Sequence, residues 1–475
     1  MGSGFMGLDI ALRSLLAHQQ AIEVVSHNIA NVNTPGYSRQ KAVLRTDGAA
    51  FGLGSLRGSA AGLVGGGVSM HAVRRMADNV LANHIRMETH VEGEWTVIQN
   101  TLHEIEAILG EPAEGSLSGA LDAFWSSWRD LSADATNSAV RTSVLEAGRY
   151  LAGFLNSAST KLHATTENLN SQIRQYVQDI NDLAREVAYL NVEIAHVQGV
   201  GDSPNDLCDR RDLLLEQLAE LVDIDVTHDI DGSVSVLLGG HHLVTRGHHA
   251  DLQAEPSETN PELLVLSWVG HDGAVRVSSG RLAGALRSRD EYVASIQAKL
   301  DEITRVLVNA VNDLHRQGFD LQGNAGIDFF TGDLAHSIQV NDALVSPDQV
   351  AAAAASSDDP DQSAGPGDGS IALRLADLSS ALLMDDGTAT IGTTYRGMIG
   401  QLGMNTRHAS MMLESSHEFL DHLQQRRDSV SGVSLDEETI DLVQYQRAYQ
   451  AAARMITLID EMLDRLINGT GIVGR

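Results

Sequence analysis

Apolar residues recur at alternating spacings of three and four at both ends of the chain. Toward the C-terminus the series is Leu442, Tyr445, Tyr449, Ala452, Ile456, Ile459, Leu463 and Leu466. This is the heptad pattern of a helix with a narrow apolar seam. Ser434 and Glu437 form a capping box at its start. Gly469 and Gly471 end it. Near the N-terminus the series is Leu8, Ala11, Leu15, His18, Ile22, Val25, Ile29 and Val32, broken only by His18. Pro35-Gly36 stops that helix. Packing rather than propensity stabilises helices, so each seam needs a partner, and the two ends are expected to pair. Charge is sparse in the first helix (Asp9, Arg13, Glu23), which favours burial on more than one side. The candidate subunit contacts are therefore Leu8, Leu15, Ile22, Val25 and Ile29 with Leu442, Tyr449, Ile456, Ile459 and Leu463. The plainer reading is that these residues only stabilise an internal coiled pair.

Between the ends the pattern stays mostly helical. Strand signals at 39–46 and 68–73 flank a Gly/Ala/Ser-rich stretch, 48–67, read as a flexible loop. Helix follows over 74–109. Leu121, Phe124, Trp125 and Trp128 start another helix with core-anchoring aromatics. From Leu162 to Val197 two interleaved heptad seams predict a long coiled-coil-like helix. A short helix spans Asp206 to Leu221. The period then changes to two, with turn signals at Asp231-Gly232 and Asp272-Gly273, so 222–280 reads as one all-β module. Helices resume over 284–314, 371–383 and 393–430. A loop covers 318–330, and 351–370 reads as a surface linker. The fold class is mainly α with an inserted all-β module. It is expected to be elongated, with a terminal coiled-coil assembly domain (1–47 and 432–475), a helical bundle (68–221 and 281–431) and a small β domain (222–280).

Composition narrows the function. The chain has 475 residues, enough for several domains at about 150 each. With 63 acidic against 33 basic residues the net charge is −30, which argues against nucleic acid or an anionic membrane as partner. A single cysteine, Cys208, excludes an intramolecular disulfide or a multi-cysteine zinc site. The sequence shows neither a cleavable signal nor an apolar run near the ~20 residues of a membrane span. The expectation is a cytoplasmic protein, or one that leaves the cell without N-terminal cleavage. His241, His242, His248 and His249 flank a short loop in the β module and could approach one another as metal ligands, though an exposed turn explains them as well. Asp229, Asp231 and Gly232 are only a fragment of a calcium loop, and Asp320, Asn324 and Asp328 fit turn formation. No catalytic motif and no cofactor fingerprint is present, so a non-enzymatic assembling subunit is expected.

Two terminal motifs carry a family resemblance. The run Leu12 to Gln40, centred on Asn28, Asn31, Asn33, Pro35, Gly36 and Tyr37, resembles the signature of flagellar rod, hook and hook-associated proteins. Leu435 to Leu466 is similar to the C-terminal motif of that superfamily. Asn205–Asp212, Ser279–Gly284 and Asn309–His315 with Gly318–Asp320 resemble its hook–filament junction family; Arg210 stands where glutamine is usual, and the chain is short for the family. The resemblance implies a ring of copies, with hook protein below and a second junction protein above. It also implies type III export, secretion into the flagellum from a cytoplasmic pool, and an export chaperone on the C-terminal helix. Both termini would be disordered before assembly. A rod or hook subunit is the alternative, disfavoured by the long helix at 162–197. A metal-dependent enzyme using the histidine-rich module is a weaker one.

Overall fold

The computed structural model describes residues 2–47, 65–110, 116–258, 260–359 and 361–469. In chain order the elements are α1 (Gly2–Ala30), β1 (Gln40–Thr46), β2 (Val68–Arg75), α2 (Asn79–Leu109), α3 (Leu117–Ala133), α4 (Ser138–Gly199) and α5 (Asn205–Leu221). Seven strands follow: β3 (Ile224–His228), β4 (Val234–Leu238), β5 (His241–Thr245), β6 (His248–His249), β7 (Leu252–Pro256), β8 (Leu264–Trp268) and β9 (His271–Ala274). Then come α6 (Arg281–Arg287), α7 (Ala294–Arg316), β10 (Phe330–Thr331), β11 (Gln339–Val340), α8 (Ser370–Asp377), α9 (Ile391–Ser431) and α10 (Leu435–Gly469). The proposed loop 48–67 falls mostly outside the described residues. The chain divides into two compact units, one of Met1–Thr89, Asp179–Asp251 and His417–Arg475, the other of His90–Gln178 and Leu252–Ser416.

In the first unit α1 packs against α10 and against the antiparallel β1–β2 hairpin. The β3–β6 strands form one antiparallel sheet in sequence order. Ile224, Val234, Val236, Leu238, Leu243 and Val244 are its buried apolar side chains. Asn191 of α4 holds the sheet, with Nδ2 donating to Val234 O (2.8 Å) and Arg246 O (2.9 Å) and Oδ1 accepting from Val234 N (3.0 Å). A polar side chain buried this way is stable because every group is paired.

In the second unit an aromatic cluster, Phe124, Trp128, Phe329 and Phe330, closes around His315, all buried. Asn312 of α7 donates to Phe330 O (2.9 Å) and accepts from Phe329 N and Phe330 N, which fixes the loop after α7 on that cluster. Buried Arg141 donates to the carbonyls of Ala135 and Val350. The Ser279–Gly284 motif docks α6 on α2. Gly280 N donates to His90 O (3.0 Å), and a Cβ at Gly284 would lie 2.6 Å from Glu94 O. Gly284→Ala must therefore push α6 off α2, at an expected cost of about 1–3 kcal/mol, read as a lowered thermal midpoint.

Four expectations change. The segment 222–280 is two sheets: β3–β6 lies in the first unit, and the β7–β8–β9 sheet in the second. Asp272-Gly273 is not a turn but part of β9; the chain reverses at Val269-Gly270, where Gly270 takes the left-handed φ of 80°. The linker at 351–370 begins as core, because Ala351, Ala352 and Ala353 are buried and Ala351 N donates to His315 Nε2 (2.9 Å). Finally, the long helix starts at Ser138 rather than Leu162, and a π-helical stretch, Ser288–Val293, joins α6 to α7.

Candidate assembly interface

The two heptad seams meet each other within the chain. The pair is antiparallel: Asn28 bonds Glu438, the His18 ring lies 6.1 Å from the Tyr445 ring, and Gly7 packs against Ile459. Of the ten residues expected to bury in subunit contacts, Val25 and Ile459 are buried and the other eight are half-buried, all without a second copy. Burial lowers the pKa of His18, which keeps the one polar member of the α1 seam neutral.

What α1 and α10 leave exposed is another set, which takes in Leu466, the last residue of the expected α10 seam. On α10 Ile440, Val443, Met455, Leu458, Met462 and Leu466 are exposed, at spacings that continue through Arg447 and Ala451 as a second helical stripe. On α1 Leu12 and Leu16, one turn apart, are exposed. Leu458 is 56% and Leu16 50% accessible. The sequence reading missed this stripe because Arg447, Gln450 and Arg454 interleave it.

The N-terminal motif organises the end of the pair where α10 begins. Asn28 is buried with all its amide groups used. Its Nδ2 donates to Gln40 O (2.8 Å) and Glu438 Oε2 (2.9 Å). Its Oδ1 accepts from the Tyr37 hydroxyl (2.7 Å) and Gln40 N (3.0 Å). Asn31 donates to His27 O (3.0 Å) and accepts from Thr34 (3.1 Å), closing the turn that leads into the hairpin. Gly36 has φ 77°, and a Cβ there would sit 3.1 Å from Leu213 Cβ. Asn33 and Pro35 are exposed on the turn. Burial, followed by the carboxylates of Asp206, Asp209 and Glu438, lifts the Tyr37 phenol far above its usual range, so it is a hydrogen-bond donor throughout physiological pH.

Residues the sequence reading left out complete the cluster. Glu438, 1% exposed, accepts from Arg39 Nε at 2.6 Å, and Glu437 accepts from Arg39 Nη1 at 2.6 Å. Glu438 lies four positions before Leu442 in the seam's own spacing, which is the signal that could have exposed it. The Asn205–Asp212 motif docks the same turn. Asp206 accepts from Gln40 Nε2 (2.7 Å), Asp209 from Ser38 N (3.1 Å) and Arg75 (3.2 Å), and Asp212 from Arg75 (2.5 Å). Burial lifts the Asp209 carboxyl to about 6, against the Ser38 amide and Arg75, which pull it down. Cys208 beside it is half-buried, and burial raises its thiol pKa, so it is a poor nucleophile. Arg210, the departure from the motif, is exposed and pairs with Glu186 of α4.

The histidine module does not gather as a site. His241 and His242 pair with β4, whereas His248 and His249 pair with the far half of β5. Among the described residues no three His, Cys, Asp or Glu side chains converge as metal ligands. Asp320 instead caps its own turn, accepting from Gln322 N and Asn324 N. Among the described residues no helix is long and apolar enough to cross a membrane.

Family models match three parts of the chain: the helical domain of flagellar hook-associated protein FlgK at 102–330, the C-terminal region of flagellar basal body rod FlgEFG proteins at 424–469, and the flagella basal body rod protein at 8–37. Flagellar hook-associated protein 1 of Bacillus subtilis is 32% identical over 100% of both chains. The chain belongs to the flagellar hook-associated protein 1 family. The Salmonella typhimurium member is 25% identical, covering 97% of this chain and 99% of its own. A solved structure of the flagellar hook junction protein FlgK from Burkholderia pseudomallei has the same fold, with a TM-score of 0.67 at 15% identity, over 74% of this chain and 100% of that one. The family is one of structural proteins of the flagellar hook–filament junction, and this chain is such a protein. The two rod-protein matches cover the α1 motif and α10, the segments that form the cluster around Asn28.

Proposed function

We propose that this hook-associated protein is a mechanical adaptor that joins hook to filament by packing the α1–α10 pair of each copy against its neighbours. The observation that carries the reading is the pair of apolar faces left uncovered after the seam is closed: the α10 stripe from Ile440 to Leu466, and Leu12 with Leu16 on α1. Exposed apolar surface of this extent on one helical element marks a contact surface. The copies form a ring with hook protein on one side and a second junction protein on the other. Before assembly the chain leaves the cytoplasm by the flagellar export route, with a chaperone covering α10. Its work is packing rather than turnover.

Electron microscopy of cells lacking the gene tests this, with the medium assayed for filament protein. Complete hooks without filaments, and filament protein shed as monomer, are expected. Normal filaments would refute the reading.

A further inference from the structure

The α1–α10 seam has a register problem. A heptad pattern repeats, so sliding one helix by seven residues sets apolar side chains against apolar side chains again. Ala11, Ala21, Ile22 and Val25 on one side, and Leu442, Ala452, Ile456 and Ile459 on the other, are interchangeable in kind. Yet the pair adopts one alignment, fixed at three places along its length by Asn28 with Glu438, His18 with Tyr445 and Gly7 with Ile459.

We propose that the buried Asn28–Glu438–Arg39 cluster is a register lock. The three residues come from α1, the turn after it and the first turn of α10, and they can meet in one alignment only. Sliding by one heptad in one direction sets Glu438 against Ala21, a fully buried position of α1 two turns away from the Asn28 amide that now donates to it. Sliding the other way sets Asn28 against Tyr445 and carries Glu438 past the end of α1. Either slip leaves a buried charge or amide without its partners, a cost the apolar seam does not impose. The turn residues Tyr37 and Gln40 hold the Asn28 amide in place, so it cannot rotate to follow a slipped helix. The lock sets which exposed residues of α10 lie beside Leu12 and Leu16, and so the composition of the outer surface of the pair.

Cross-linking within the full chain tests this independently of whether copies assemble. In a Cys208→Ser background, Gly7→Cys is combined with Ile459→Cys, the facing position, or with Ala452→Cys or Leu466→Cys, one heptad to either side. A short bis-thiol reagent reports the intramolecular product. The facing pair is expected to react about tenfold or more faster than either shifted pair, a ratio worth about 1.4 kcal/mol. Adding Asn28→Ala with Glu438→Ala is expected to bring a shifted pair to within about threefold of the facing pair. Glu438→Gln keeps the side chain's length and an oxygen for Asn28 but removes one of the charges that hold Arg39, Glu437 being another, so it should give an intermediate ratio. A full facing preference retained in the double alanine chain overturns the proposal. So does a parent without preference, and so does a parent-like ratio in Glu438→Gln if the double alanine chain gives no cross-link at all.

Discussion

Replacing Ile459 with aspartate is expected to separate α1 from α10 and to leave cells with hooks but no filaments. Ile459 is 6% exposed and packs against Gly7. A carboxylate set among the apolar side chains of the seam would cost about 3–5 kcal/mol to bury unpaired, so the helix pair opens instead. Ile456→Asp and Leu463→Asp act on the same seam more weakly, because both side chains are half-buried. The informative contrast is Leu458→Asp, one residue away on the exposed stripe. Surface substitutions stay within about 0.5 kcal/mol, so this variant should keep its helix content while losing assembly. Circular dichroism of the purified chains and microscopy of the cells separate the two effects. Normal filaments in Leu458→Asp would remove the α10 stripe from the subunit interface. Normal filaments in Ile459→Asp would remove the seam from the structure that assembles.

The second unit is expected to weaken in acid through His315. Its ring is buried, Nε2 accepts from Ala351 N (2.9 Å), and Nδ1 therefore carries the proton that it shares with Ile327 O. Burial, with a smaller push from the Arg141 charge and against the Ile327 carbonyl and Asp328, lowers its pKa from 6.5 to about 4. Trp128 and Phe329 close off the remaining faces of the ring. The unfolded chain takes up this proton first. Stability is therefore complete above about pH 6.5, declines as the pH falls below that, and has lost the whole contribution near pH 4, about 3 kcal/mol. Protonation would also turn Nε2 from an acceptor into a donor facing the Ala351 amide. Urea melts of the parent and of His315→Gln, followed by tryptophan fluorescence between pH 7 and 4.5, isolate the effect from the carboxylates. The variant should be weaker at pH 7 and lose less stability on acidification. Parallel pH slopes would place the acid sensitivity elsewhere.

How much of this was legible in the sequence depends on what kind of signal each element carries. The seams of α1 and α10 were readable because apolar residues keep the alternation of three and four over about 25 residues at each end, broken only by His18. The aromatics Phe124, Trp125 and Trp128 announced a core, and they are buried. Glu438 was hidden by its address. An acid in the first turn of a helix looks like dipole complement, and only its partners, Asn28 and Arg39, about 400 residues away, reveal it as buried. The opening of α4, Ser138 to Lys161, mixes small and polar residues without a heptad, and its helicity follows from the buried Val144, Leu145, Leu151 and Leu155 rather than from a visible repeat. The alanines 351–353 resembled a linker by composition. Alanine is also what fits where backbone approaches backbone, and Gly318 lies with its Cβ direction against Ala351 at 3.0 Å. The strands of 222–280 show one continuous rhythm, and nothing in that rhythm marks where one sheet ends and the next begins.

The antiparallel pairing of α1 with α10 has a practical corollary for anyone labelling this protein. Gly7 and Ile459 are neighbours, so a fluorescent tag inserted at the start of α1 or at the end of α10 would crowd the same pole of the helix pair. The turn between β3 and β4 is the better port. Ile230 at its tip is fully solvent-accessible, and the turn is closed by its own bonds from Gly232 N to Asp229 O and from Asp229 N to Ser233 O. A short epitope placed there would sit on an exposed turn and would leave the Gly7–Ile459 contact untouched.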